Sequence, residues 1–309
     1  MKRKVNKIGQ STLMVSLPHK WVKEYNIEKG DEVDVEIEGP TVRLSKVSTK
    51  RSEKKSCTVQ IDHNYQTTLR SLLNGLYRQG YDTIHFTFSK QGTEKLIRAF
   101  VRDYLLGFEI ISQGQGKCII ESWTEPDTQK AAALLRKVFF ITQESYDIVL
   151  EDMSEGSKDR LETIEEFTVN GDRLLNFYSR TLFKSKELDP FIWEKISKLK
   201  HTQHGLLHLY RAYSTSPQSV SKDVLEYLTA CKTLFFLVQE IYFKKKKENL
   251  EKIPMLRNKL LFVELQKIQK SKSGIFFAPY LFNLVQMTYL AWNPVLCIQE
   301  EQNKETLCV

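Results

Sequence analysis

The chain has 309 residues, 41% of them hydrophobic and 27% charged, and a formal net charge of +8, so it has room for two or three domains and favours an anionic partner. No stretch approaches the roughly 20 uninterrupted apolar residues of a membrane span, and Met1-Lys2-Arg3-Lys4 is not followed by the apolar core of a signal peptide. Cysteines at 57, 118, 231, 297 and 308 are widely spaced with no Cys-x-x-Cys pair, which disfavours a disulfide framework or zinc ribbon and suits a reducing, cytoplasmic compartment.

In chain order, the first region, residues 1–48, holds four short strand patterns. Lys4 to Ile8 leads into a Gly9-Gln10-Ser11 turn, and Thr12 to Leu17 alternates Leu13, Val15 and Leu17 with more polar positions. Pro18 then stands where a helix begins, ahead of His19-Lys20-Trp21-Val22-Lys23. Val33 to Ile37 and Thr41 to Ser45 flank the Gly39-Pro40 break. Charge is divided sharply here: residues 1–23 carry six Lys or Arg and no acid, whereas residues 24–38 carry seven acids and one Lys. So small a segment cannot bury a core alone, and dimerisation is the expected remedy.

Residues 49–56 are polar and charged and read as a linker. The second region, 57–124, alternates strand and helix signals. Strands are expected at Cys57–Ile61, Thr83–Phe88, Gly107–Ser112 and Lys117–Glu121, and helices at Tyr65–Arg78 and Gly92–Leu105. "QGQG" at 113–116 is the turn between the last two strands. The β-α-β-α-β-β order implies a small open α/β sheet with helices on one face.

From 127 to 303 the strand signals vanish, and amphipathic patterns predict six helices at 127–154, 157–186, 189–214, 218–251, 255–272 and 277–302. Six helices divide naturally into a pair of three-helix bundles. The last of them, "FFAPYLFNLVQMTYLAW", is too interrupted for a membrane span and fits the closing helix of a bundle. The Lys244 to Lys247 run reads as exposed helix.

Two patterns are candidate metal sites. His201, His204 and His208 are offset by three and four residues, which puts them on one helical stripe suited to zinc or another borderline metal. Glu162 and Glu166, one turn apart on the preceding helix, are the acids that would join them. Solvated helix-face acids and surface histidines are the commoner role of both patterns. No Walker loop, strand-linked GxGxxG or Gly-x-Ser-x-Gly elbow is present, and the chain is not expected to be an enzyme.

The segment "KVNKIGQSTLMVSLPHKWVKEYNIEKGDEVDVEI" resembles the AbrB/SpoVT swapped-hairpin DNA-binding family almost end to end. That resemblance implies a homodimer whose N-terminal hairpins interleave into one small β-barrel with a cationic face for double-stranded DNA. Its contacts would fall on Arg3, Lys4, Lys7 and Ser11, with Lys20 nearby. Such barrels also serve as antitoxins. The helical region, with "VNGDRLLNFYSRTL", is similar to the PhoU phosphate-regulation family, and the middle segments "LYRQGYDTIHFTF" and "LLGFEIISQGQGKCIIE" are similar to those of archaeal AbrB-PhoU fusions. That similarity implies a regulator of phosphate uptake with iron or zinc clusters on a bundle face. The alternative it leaves open is an adaptor that docks on phosphate-transporter or signalling proteins, its hairpin serving only for dimerisation.

Overall fold

The structure, a computed structural model, describes residues 3–8, 12–46, 54–62, 65–124, 131–216, 219–246 and 248–302. The chain divides into two compact units, Met1–Lys54 and Lys55–Val309.

The first unit is two hairpins and a short helix. Strands β1 (Val5–Ile8) and β2 (Thr12–Val15) pair antiparallel with Val5 opposite Val15 and Lys7 opposite Leu13. Pro18, extended at φ −63°, leads into helix α1 (His19–Glu24), and its carbonyl takes the Val22 amide at 3.0 Å. Strands β3 (Val33–Glu38) and β4 (Thr41–Lys46) form the second hairpin around Gly39, whose φ of +57° is the left-handed conformation a two-residue turn needs. The two hairpins are separate two-stranded sheets.

The second unit begins on a four-stranded sheet of order β5-β6-β8-β7. Strand β5 (Ser56–Ile61) is parallel to β6 (Thr83–Phe88), and β8 (Lys117–Ser122) is antiparallel to both β6 and β7 (Phe108–Gly114). Helices α2 (Gln66–Arg78) and α3 (Thr93–Tyr104) are the connections, in the order the sequence implies. Alternation sets the buried face: Ile84 and Phe86 of β6 and Cys118 and Ile120 of β8 pack under Leu69, Leu73, Ile97 and Phe100. Gln115 and Gly116 both take positive φ, 50° and 73°, closing the β7–β8 hairpin inside the expected "QGQG". The expected linker is shorter than 49–56, because the Lys55 carbonyl accepts the Asp82 amide at 2.7 Å and so belongs to the sheet unit.

Helices α4 (Ala131–Glu155), α5 (Leu161–Lys184) and α6 (Pro190–Thr215) follow closely the first three expected segments. Asp189 caps α6 by accepting the Ile192 amide at 2.7 Å, and Pro190 opens it. Beyond them the expected boundaries shift. Helix α7 (Lys222–Lys244) stops at Lys245, left-handed at φ 52°, and does not run to 251. The cause is Glu240, which gathers Lys244 at 3.1 Å, Lys246 at 2.7 Å and the Asn249 amide at 3.1 Å and folds the chain back. Lys244 thus closes the helix, and Lys245 and Lys246 of the expected exposed-helix run lie beyond it; Lys247 lies outside the described residues.

Helix α8 (Asn249–Lys259) then passes through Pro254, where a break was expected, into a π-helical turn, Leu260–Glu264, and the short α9 (Leu265–Ile268). Helix α10 (Lys272–Gln302) starts ahead of the expected 277 and continues through Pro279. Ser271 starts it by accepting the Gly274 amide at 2.9 Å. A side chain at 274 would collide with the Ile268 carbonyl, so glycine permits this tight entry. By length and composition Lys272–Trp292 is apolar enough to cross a membrane, contrary to the sequence expectation. Phe277, Leu281, Leu284 and Val285 of the same helix are wholly buried in the helical core.

Helices α4, α5 and α6 pack on one another, as do α7, α8–α9 and α10, and the two trios meet most extensively along α6 and α10. One apolar core runs through both, from Leu135 and Tyr146 to Leu281 and Trp292. Nor does the expected boundary near 125 separate independent bodies, because α5 packs on α2 and α3. Arg180 of α5, 1% exposed, lies between the rings of Tyr77 and Phe108 and bonds Asp82 at 2.5 Å and the carbonyls of Tyr77 and Tyr81 at 2.9 and 2.7 Å. Lys184 reaches the same carboxylate at 2.8 Å, and Asn176 bonds Asn74 at 3.0 Å.

Candidate nucleic-acid interface

The front unit assembles a cationic edge beside uncovered apolar faces. Period two along β1 puts Val5 and Lys7 on one face, and cross-strand pairing adds Val15 and Leu13 to it. In the second hairpin the same rule gathers Val33, Val35, Ile37, Val42 and Leu44 on one side, with Asp34 on the other. These apolar side chains are not covered: Leu13 is 68% exposed and Ile37 77%, and among the described residues from 3 to 46 none is buried. Lone two-stranded hairpins are marginal in water, so a surface of this kind requires a second layer.

Of the expected DNA contacts, Arg3 and Lys4 are exposed just before β1, Lys7 is exposed within it, and Lys20 is exposed on α1. Lys7 shares its face with the apolar residues, so it stands at the border of whatever covers them. Ser11 lies outside the described residues. Trp21 and Val22 of α1 turn inward and are half-buried, while Lys20 and Lys23 face solvent. A polyanion is thus attracted to the β1–α1 side.

The expected metal set is not brought together. Glu162 and Glu166 are exposed on α5, and among the described residues no group of three or more His, Cys, Asp or Glu side chains could hold a metal ion. His204 instead bonds Asp172 of α5, Nε2 lying 3.0 and 3.1 Å from its two carboxylate oxygens, and Lys200 reaches Asp172 at 3.1 Å. Asp172 is 3% exposed. Burial alone would push its carboxyl up, but the His204 hydrogen bond and the Lys200 charge outweigh that and hold it below the ordinary carboxylate range. His201 and His208 stay on the surface, with their pKa values lowered by partial burial first and then by neighbouring His204. The α5 acid that does reach this stripe's end is Glu165, bonded to Arg211 at 2.7 Å.

Asp172 and Lys200 were missed by sequence reasoning. Asp172 lies 32 positions from His204, and only the antiparallel register of α5 on α6 joins them. Gly171 permits that register, since a side chain there would collide with buried Gln203, whose amide donates to the Phe167 carbonyl at 2.8 Å. A pH effect follows. The unfolded chain binds protons at His201 and His208 more readily than the folded one, so stability should fall as pH drops below about 6.5. Urea unfolding at pH 7.5 and 5.5 checks this: the double variant His201→Gln, His208→Gln should lose less stability between the two than the unaltered chain.

No curated protein and no solved structure matches the chain. Residues 7–52 match the family model described as MazE_antitoxin, antidote-toxin recognition MazE, bacterial antitoxin, so the front unit is AbrB/MazE-like.

Proposed function

We propose that this protein is a homodimeric DNA-binding regulator whose front unit completes its fold with a second copy and meets the duplex with Arg3, Lys4, Lys7 and Lys20. The observation that carries the reading is the pairing of uncovered apolar strand faces with a cationic edge in a front unit whose residues 7–52 match the family model. Phosphate contacts release counterions, so affinity for duplex DNA should fall steeply with salt. Lys4→Ala and Lys7→Ala should each reduce the slope of log affinity against log salt by about one. Fluorescence anisotropy across a salt series measures it; weak, non-saturable binding would set the reading aside.

The finer part of the proposal is that the helical unit passes phosphate status to the front unit. It is supported by the similarity of "VNGDRLLNFYSRTL" to PhoU proteins and by the arrangement of two helix trios. Genome-wide DNA occupancy under phosphate excess and starvation tests it; unchanged occupancy counts against it. A second reading, favoured by the name of the matched family, is that the front unit dimerises and holds a protein toxin. Co-purification of a tightly bound small protein with no duplex affinity would favour that one.

A further inference from the structure

A cleft of about 390 Å³ opens in the second unit between the start of α7 and the α8–α9 segment, within the roughly 300–1,000 Å³ range of small-molecule sites. Its floor is apolar: Tyr227 of α7, Leu260 at the start of the π-helical turn and Ile268 of α9. Its rim is charged, and the charge is divided by wall. On the α7 wall stand two carboxylates, Asp223 and Glu226. Glu226 meets Lys222 at 3.4 Å, both side chains being well exposed, and Asp223 has no partner among the described residues. On the other wall stand two ammoniums, Lys259 and Lys267, which share one carboxylate oxygen of Glu264 at 3.9 and 3.0 Å. One wall is therefore negative by one charge and the other positive by one.

The π-helical turn builds the second wall. Lys259 and Glu264 are five positions apart, which in a regular α-helix would set them about 140° from each other; the wider turn brings both to the cleft. Its closing bond runs from the Leu265 amide to the Leu260 carbonyl, and the Tyr227 hydroxyl donates to that same oxygen at 3.2 Å, tying the turn to α7 across the floor. Single π turns of this kind recur at functional sites.

We propose that this cleft binds a small zwitterion, a free amino acid. Its ammonium meets Asp223 and Glu226, its carboxylate meets Lys259 and Lys267, and its hydrocarbon lies on Tyr227, Leu260 and Ile268. The division of charge selects that class of ligand. A lone cation gains from α7 but is opposed by the surplus ammonium of the other wall, and a lone anion meets the reverse. Only a molecule carrying both charges is attracted to both walls. The apolar floor adds affinity for the carbon between them. The site lies wholly within the second unit, so the inference goes beyond the DNA-binding reading and does not depend on it. It gives that unit a ligand of its own, whichever partner the front unit holds.

Isothermal titration of the full chain with glycine, leucine, γ-aminobutyrate and ε-aminocaproate tests the proposal, since these probes differ in hydrocarbon and in the distance between their charges. At least one should bind saturably. Butylamine and butyrate, each with one of the two charges, should bind about tenfold more weakly or not at all. Asp223→Asn and Lys267→Met, both at exposed positions where substitution disturbs the fold little, should each weaken the bound zwitterion about tenfold or more, as loss of one charge-assisted hydrogen bond does. Asp147→Asn, in a separate groove beside α4, should bind as the unaltered chain does. Absence of saturable binding by all four zwitterions overturns the proposal. So does butylamine or butyrate matching the zwitterion, an affinity that Asp223→Asn and Lys267→Met leave unchanged, or an equal loss in Asp147→Asn.

Discussion

Arg180→Ala is expected to destabilise the second unit by about 3–5 kcal/mol, the usual cost of removing one partner from a buried ion pair. The substitution strands the 3%-exposed Asp82 carboxylate, leaving it Lys184 and the Lys55 amide at 3.1 Å as remaining partners. It also leaves the carbonyls of Tyr77 and Tyr81 short of a donor and empties the space between two aromatic rings. Asp82 is held below its ordinary pKa although burial pushes the other way, because hydrogen bonds from Lys184 and the charge of Arg180 outweigh it. Its stabilising contribution is therefore present above the ordinary carboxylate pKa and is lost as pH falls through the lowered one. The double variant Arg180→Met, Asp82→Leu should cost less than the sum of Arg180→Met and Asp82→Leu alone, since no charge is left stranded, although the Tyr77 and Tyr81 carbonyls still lack their donor. Urea midpoints for the four proteins measure the coupling, and a loss below about 1 kcal/mol for Arg180→Ala would reduce the clamp to a passive contact.

Ile37→Asp should convert the full chain from dimer towards monomer and lower duplex affinity by about 100-fold or more. Ile37 is 77% exposed in a single copy, so the substitution costs one isolated chain little. In a completed two-copy barrel the same position would bury a carboxylate among Val35, Val42 and Leu44, which is costly without a partner. A DNA-contact variant such as Lys7→Ala should lower affinity and leave the oligomeric state alone, so sedimentation and anisotropy together tell the two effects apart.

Local patterns in the sequence carried much of this architecture. Ile84 and Phe86 alternate with polar neighbours, and β6 follows directly; Gln115-Gly116 turns where the glycines of "QGQG" permit. Asp189-Pro190 starts α6 because a capping carboxylate and a fixed φ act within one turn. What escaped was decided by residues distant in sequence. The end of α7 depends on Glu240 finding Lys246 and Asn249, against a helical propensity that would have continued the helix to 251. Pro254 and Pro279 should have been breaks, yet packing on α7 and α6 keeps both segments helical. The histidine stripe was visible, but its partner Asp172 was not, and the acids chosen from spacing alone face solvent. Asp82 and Arg180 lie 98 positions apart, and no local signal joins them.

The uncovered hairpins carry a consequence for gene dosage. On the proposed dimeric reading, a front unit in which none of the described residues is buried reaches its folded form by a two-body encounter, while the second unit, with its own cores, needs only one chain. At low abundance the amount of assembled front unit then grows as the square of chain number, so a twofold change in synthesis becomes about a fourfold change in assembled regulator. A shallow change in synthesis would thus reach the assembled dimer as a change about twice as steep on a logarithmic scale.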